Sequence, residues 1–313
     1  MKTVVPVSAV IATRNRAASL ARTLDSLAAQ TLTPAELIIV DASDETQTKS
    51  SAMKSNKAID ASCVVRWISA AQRGAAAQRN EGVAAATQPF IWFFDDDVLF
   101  EPDCVNALWD AMERDGRLGG VNAMITNQRY QSPGLGSRFI FTLMNGGSEK
   151  SFAGKVIGPA VNLLPEDRDE LPDVAPVEWL NTTCTLYRRD ALPSPIFDPF
   201  FRGYSLMEDM TLSLRVAQRG WQLANIRTAR IYHDSQPGEH KSNMTEIAAM
   251  DLVNRYYVMR NVLGLRGLGI HLKLILWLLF QFASKVAGPR PWQAIKSEVA
   301  GKFRAIREIR SSR

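Results

Sequence analysis

Apolar residues fall in short runs over the first hundred positions, and each run stops at a polar cluster. Val4 to Ala12 reads as a buried strand, broken by Thr13-Arg14-Asn15-Arg16. Leu20, Leu24 and Leu27 then recur at helical spacing, with Asn15 as the expected N-cap. Leu37-Ile38-Ile39-Val40 is a second strand, ending at Asp41-Ala42-Ser43-Asp44. A polar helix is expected over 46–58 and a third strand over 64–68. Gly74 opens an Ala-rich helix, and a fourth strand, Phe90-Ile91-Trp92-Phe93-Phe94, runs straight into Asp95-Asp96-Asp97. Strands alternating with helices predict an α/β fold: a Rossmann-like, mostly parallel sheet with helices on both faces and right-handed crossovers.

The pattern loosens after Asp97. A helix is expected from Pro102 to Arg114 and a strand over 118–126. No period is sustained over 127–176, a length of chain that suits a lid or a binding loop. A strand over 179–187 follows, then a helix over 208–218 that stops at Arg219-Gly220. Short strands at 223–226 and 230–232 lead to helices over 246–262 and 270–286. The expected division is a catalytic-type domain over 1–240 and a C-terminal helical, basic region over 241–313.

Charge sharpens that division. The chain of 313 residues carries a net +5, yet eight Lys/Arg and two Glu lie between Lys285 and Arg313, so the rest sums to −1. A near-neutral body with a basic tail gives no reason to expect nucleic acid as a partner. Three cysteines, Cys63, Cys104 and Cys184, without CxxC spacing, imply neither a disulfide framework nor a zinc site. The N-terminal residues lack the pattern of an export signal, so a cytoplasmic location is expected.

The acid turn carries the chemistry. Side chains alternate along extended backbone, so Asp95 and Asp97 are expected on one side and Asp96 on the other. Two converging carboxylates repel unless a cation lies between them, and Mg²⁺ or Mn²⁺ takes such oxygen ligands together with phosphate. Asp41 after the second strand, and Gly74 to Arg79 at a helix start, belong to the same sheet edge. An acid, a helix N-terminus with an arginine, and a metal-binding pair suit a nucleotide diphosphate. A haloacid-dehalogenase-type phosphatase is excluded, because its Asp-x-Asp-x-Thr/Val motif would need Thr or Val where Leu99 stands and because the acids here follow the fourth strand. A sugar nucleotidyltransferase would carry a glycine-rich loop after the first strand, where this chain has Thr13-Arg14-Asn15-Arg16. A non-catalytic sugar-nucleotide-binding protein is the further alternative.

Five ordered stretches carry a family resemblance: Val10 to Arg16, Ile38 to Ser43, Gly74 to Gly82, Phe94 to Asp97, and Glu208 to Arg215 with Arg219-Gly220-Trp221. Together they resemble a family 2 inverting glycosyltransferase of the GT-A fold. The resemblance implies a nucleotide-sugar donor, UDP- or dTDP-linked, and a glycan or lipid-linked acceptor in surface polysaccharide or glycolipid synthesis. It implies that Asp41 contacts the base, that Thr13 and Arg79 line the nucleotide pocket, and that Asp95 lies near the ribose with Asp97 as metal ligand. It also implies Asp209 as the general base, with adjacent Glu208 left open as the alternative, and His233 as a ligand of metal or diphosphate. Ala42 stands where the family usually has Gly.

Leu274 to Phe280 is apolar all round and flanked by Lys273 and Lys285. Two readings are open, and the basic tail favours the second. One is a core or homo-oligomer helix. The other is an interfacial helix that, with the basic tail, holds the protein peripherally on an anionic cytoplasmic membrane face.

Overall fold

The computed structural model describes residues 2–44, 62–236, 243–286 and 291–311, so the helix expected over 46–58 lies outside the described residues. Chain contacts divide the protein into two compact units. The first comprises Met1–Tyr130 with Pro165–Gln236, the second Gln131–Leu164 with Pro237–Arg313.

The first unit is built on one mixed, mostly parallel sheet. Its first strands are β1 (Thr3–Thr13), β2 (Leu32–Asp41), β3 (Val64–Ser69), β4 (Phe90–Phe94), β5 (Val98–Phe100) and β6 (Leu118–Ile125). β7 (Val156–Ile157) and β8 (Val161–Asn162) form a separate small hairpin in the second unit. β9 (Val174–Pro176), β10 (Cys184–Arg188) and β11 (Gln222–His233) complete the main sheet. Its order is β3-β2-β1-β4-β10-β6-β11-β5, with β9 also on β11. β3, β2, β1 and β4 run parallel. β10 enters antiparallel between β4 and β6.

The aromatic strand is buried on both faces, as its composition predicts. Ile91 and Phe93 join one core cluster with Val10, Ile38 and Val40. Trp92 and Phe94 join the other, with Leu20, Leu24 and Leu27 of helix α1 (Ala17–Ala28). Helix α2 (Ala75–Ala85) covers the first of these faces and can do so closely because Gly82 has no side chain. A Cβ there would stand 2.4 Å from Val10 Cγ1.

Several boundaries differ from the sequence expectation. Arg16, not Asn15, is the N-cap of α1. Asn15 takes a positive φ of 55° and spends its side chain on Asp44. The strand expected over 179–187 is shorter, because residues 182–183 form a turn before β10. The two short strands expected at 223–226 and 230–232 are one irregular strand, β11. Helix α3 (Cys104–Arg114) lies where a helix was expected, whereas the short strand β5 before it was not.

The second unit contains helix α4 (Leu135–Asn145), which lies within the stretch that showed no period. After α5 (Glu208–Gln218) of the first unit, the second unit continues with α6 (Met244–Tyr257), a π-helical turn at Val258–Val262, α7 (Leu268–Val286) and α8 (Pro291–Ser311). α8 was legible only as a basic tail. It packs tightly on α6 at Gly301, where a Cβ would meet the Thr245 carbonyl oxygen at 2.5 Å.

Candidate active site

The ends of β1, β2 and β4 lie together because the register pairs Thr13 with Asp41 and Val10 with Phe93. Gln78 of α2 ties this edge down. Its Nε2 donates to the carbonyl oxygens of Thr13 and Val40 at 3.0 and 2.8 Å. Gly74 precedes α2 with φ +127°, a conformation that only glycine adopts without strain.

The acid turn splits as the alternation predicts. Asp96 turns inward, 3% exposed, and accepts from Thr13 Oγ1 at 2.7 Å and Arg16 Nη1 at 3.0 Å. Burial pushes its carboxyl up to about 6, against the pull of Arg16 and Thr13. Asp95 and Asp97 instead share a cluster with His233, whose ligand atoms all lie within 4.8 Å of one another. His233 reaches it from the end of β11, with Nε2 3.1 Å from Asp97 Oδ1 and Nδ1 3.1 Å from Gln128 Nε2. Asp97 also accepts from Arg16 Nη1 at 3.2 Å and from the Gln236 N–H at 3.3 Å. Burial raises the Asp97 carboxyl, but His233, Arg16 and Gln236 together hold it below the ordinary carboxylate range.

The donor set of this cluster fits a hard divalent cation. Two carboxylates and one imidazole converge, which suits Mn²⁺ or Mg²⁺ with the remaining positions left for water or phosphate. The imidazole is also braced for it. Turning the Gln128 amide over would present its oxygen to Nδ1–H and leave the Nε2 lone pair for the metal.

Arg79 links the cluster to α5. It is buried, donates to Asp95 Oδ1 at 2.6 Å and pairs with Glu208. The two adjacent acids of α5 therefore differ in surroundings. Glu208 is buried against Arg79, whereas Asp209 is only half-buried and accepts from the Met210 N–H at 2.7 Å. Burial pushes Glu208 up to about 7 and Asp209 up to about 6, with Arg79 opposing both. Asp41 remains apart from the acid cluster. Its Oδ1 accepts from the Ser43 N–H at 2.8 Å and from the Ser43 hydroxyl.

The sequence reading gave no role to Arg16, Asp96, Gln78, Gln128 or Gln236. Arg16 and Gln78 stand inside stretches that carried the resemblance, which was their signal. Gln128 and Gln236 reach the site through strand ends that no local pattern marks. Trp179, just before β10, is 6% exposed and belongs to the core.

A mostly parallel, helix-covered sheet with an acid turn at the end of its fourth strand is the architecture of GT-A nucleotide-sugar enzymes. Residues 8–154, a little under half of the chain, match the family model described as Glycosyl transferase family 2. It is 28% identical over 187 residues to N-acetylglucosaminyl-diphospho-decaprenol L-rhamnosyltransferase of Mycobacterium tuberculosis. That alignment takes in 55% of this chain and 57% of the relative, so the match spans little more than half of the curated protein. Among solved structures, the fold is similar to the mannosyltransferase PcManGT from Pyrobaculum calidifontis in complex with GDP-Man and Mn²⁺. The TM-score is 0.56 at 14% identity, covering 96% of this chain and 87% of that one. It is also similar to residues 1–349 of S. aureus TarS in complex with UDP-GlcNAc, with a TM-score of 0.50 at 16% identity, covering 100% and 93% of the two chains.

Proposed function

We propose that this protein is an inverting glycosyltransferase that moves a sugar from a UDP- or dTDP-linked donor to a hydroxyl of a glycan or lipid-linked acceptor. Its place would be the cytoplasmic face of a membrane, in surface polysaccharide or glycolipid synthesis. The observation that carries the reading is the convergence of Asp95, Asp97 and His233 on one point, with Asp209 joined to them through Glu208 and Arg79. The curated relative supports the lipid-linked acceptor, and the GT-A neighbours were solved with sugar nucleotides.

In this reading Asp41 receives donors from the base, and Thr13 and Arg79 bound the nucleotide side. The N–H groups that open α2 after Gly74 face the diphosphate. Asp95, Asp97 and His233 hold Mg²⁺ or Mn²⁺, which when bound stabilises the charge of the departing diphosphate. Asp209 takes the proton of the acceptor hydroxyl as it attacks the sugar from the face opposite the leaving group. Its half-buried position and raised pKa suit a base that must be ionised yet basic near neutral pH. Glu208, already paired with Arg79, braces the helix start.

The test is release of nucleoside diphosphate from a panel of UDP- and dTDP-sugars, with Mn²⁺, with Mg²⁺ and with a chelator. Metal-dependent release with one donor is expected, lost in Asp97→Ala while the melting curve of the unliganded protein is kept. Release that survives both the chelator and Asp97→Ala would remove the metal assignment. No release and no thermal shift with any donor would remove the enzymatic reading.

A further inference from the structure

Outside the acid cluster, Cys104 of α3 and Cys184 of β10 approach one another, but both are buried and nothing in the structure gives them a reaction. The second unit, by contrast, has an arrangement of polarity that its own packing does not use.

Helix α7 is 19 residues long and apolar along most of its length, yet Leu274 is its one buried residue. Its outward stripe is Leu268, Leu272, Ile275, Leu279, Phe282 and Val286, all exposed, with Leu268 at 77%. Its lysines point the other way. Lys273 Nζ donates to the Met144 carbonyl oxygen at 2.7 Å, and Lys285 pairs with Glu298, which is 5% exposed. Lys302 of α8 joins this inner network, 3.3 Å from Glu298 and 2.7 Å from Asp251, which is paired in turn with Arg255. Ion pairs therefore lie between the helices beside an apolar core of Leu252, Met259, Leu274 and Ala305, while a further stripe of apolar side chains is left outside it.

Two neighbouring helices repeat the pattern. α4 packs on α7 through Phe141 against Phe280 and leaves Leu135, Phe139 and Leu143 exposed at i, i+4 and i+8. α8 exposes Trp292, at 83%, and Phe303 among the exposed bases Lys296, Arg304, Arg307 and Arg310, against one exposed acid, Glu308.

We propose that the second unit seats on an anionic lipid bilayer, with the outward stripe of α7 in the acyl boundary and the exposed bases of α8 against lipid phosphates. This rests on the membrane-side reading above and names the surface responsible. Charge selects this occupant. A second copy laid on the same face would bring two cationic units together, whereas anionic headgroups neutralise them. The tryptophan suits the headgroup level. α7 lies on the bilayer and does not cross it, because crossing would strip Lys273 and Lys285 from their partners.

The experiment is flotation of the full chain with vesicles of phosphatidylcholine alone and of phosphatidylcholine mixed with phosphatidylglycerol, without nucleotide. Binding to the mixed vesicles is expected, weakened by salt. Leu272→Glu with Ile275→Glu should lower the apparent affinity by about tenfold or more, since the buried apolar area sets the strength. Lys296→Glu with Arg304→Glu, on exposed positions, should do the same and serves as the second variant if the first fails to fold. Light scattering reports the other occupant: a dimer that the α7 variant dissociates, in a protein that ignores vesicles, overturns the proposal. Equal binding by wild type and both variants, or no binding to mixed vesicles, also overturns it. Donor hydrolysis measured in parallel separates the readings. Vesicle failure with hydrolysis intact removes only this surface, and the converse removes only the enzymatic reading.

Discussion

Arg16 Nη1 lies 3.2 Å from Asp97 Oδ2, so the proposed metal ligand already holds a cation. An arriving Mn²⁺ would meet that guanidinium at close range. Two unit charges about 4 Å apart repel by about 4 kcal/mol at an effective dielectric of about 20. Arg16→Gln should therefore bind Mn²⁺ alone at least about tenfold more tightly, which needs only about 1.4 kcal/mol. Paramagnetic resonance of free Mn²⁺ measures this directly. Added nucleoside diphosphate should narrow the gap, because its charge gives Arg16 of the wild type a new partner. Weaker Mn²⁺ binding by the variant would mean that Arg16 shapes the cluster more than it opposes the ion.

Asp209→Asn keeps the size of the side chain but cannot accept a proton. Donor affinity should hold while transfer falls by about 10² to 10⁴ at saturating donor and acceptor. The pH profile gives the sign. The carboxyl is raised to about 6, so it is ionised above that pH and protonated below it. Wild-type transfer should rise with pH through about 6 and then level, and the variant should lose that limb. A full rate in Asp209→Asn would pass the role to Glu208.

Asp251 accepts from Arg255 Nη2 at 2.8 Å and pairs with Lys302, and its carboxyl is held well below the ordinary range. Burial raises it, but Arg255 and Lys302 outweigh burial. A depressed carboxyl stabilises the fold above the ordinary carboxylate range, about pH 4, and loses this as pH falls through its folded value. Asp251→Asn leaves Arg255, 4% exposed, without its charge partner and should cost about 3–5 kcal/mol at neutral pH. Urea titrations at pH 7 and below pH 4 test this, and the difference between wild type and variant should shrink in acid.

Gly82→Ala should destabilise by about 1–3 kcal/mol although Ala favours helix. The new Cβ has no room beside Val10 and Val40. Val10→Ala in the same chain should recover part of the loss. A neutral Gly82→Ala in thermal melts would mean that α2 can draw back from the sheet.

In the parallel half of the sheet β2 and β4 were readable because they are buried almost throughout and each runs into an acid, Asp41 and Asp95, whereas β3 has no buried residue and was read from its apolar composition alone. Phe90 to Phe94 needed no partner to be recognised, since burial on both faces makes the whole run apolar. α4 was not readable, for a related reason. Phe141 and Met144 are buried while Leu135, Phe139 and Leu143 are exposed, so apolar residues surround the helix and no period survives. β10 was placed too early because residues 179–183 are buried by tertiary packing without being extended. In the candidate site, acids at strand ends were visible one by one. Their pairing was not. Arg79 meets Glu208 across 129 positions and Arg16 meets Asp97 across 81, separations at which only the fold decides contact.

The chain passes from one compact unit to the other at three points, after Tyr130, Leu164 and Gln236. The second unit is therefore not a terminal cassette. Cutting the gene before Pro237 would leave 131–164 stranded, with Phe141 and Trp277 assigned to one cluster but encoded on different pieces. Recombination that exchanged this unit between relatives would need crossovers at all three points and would have to keep those partners together. Inheritance of the two stretches is thus expected to be correlated, and a hybrid gene that swaps only the C-terminal part should yield insoluble protein.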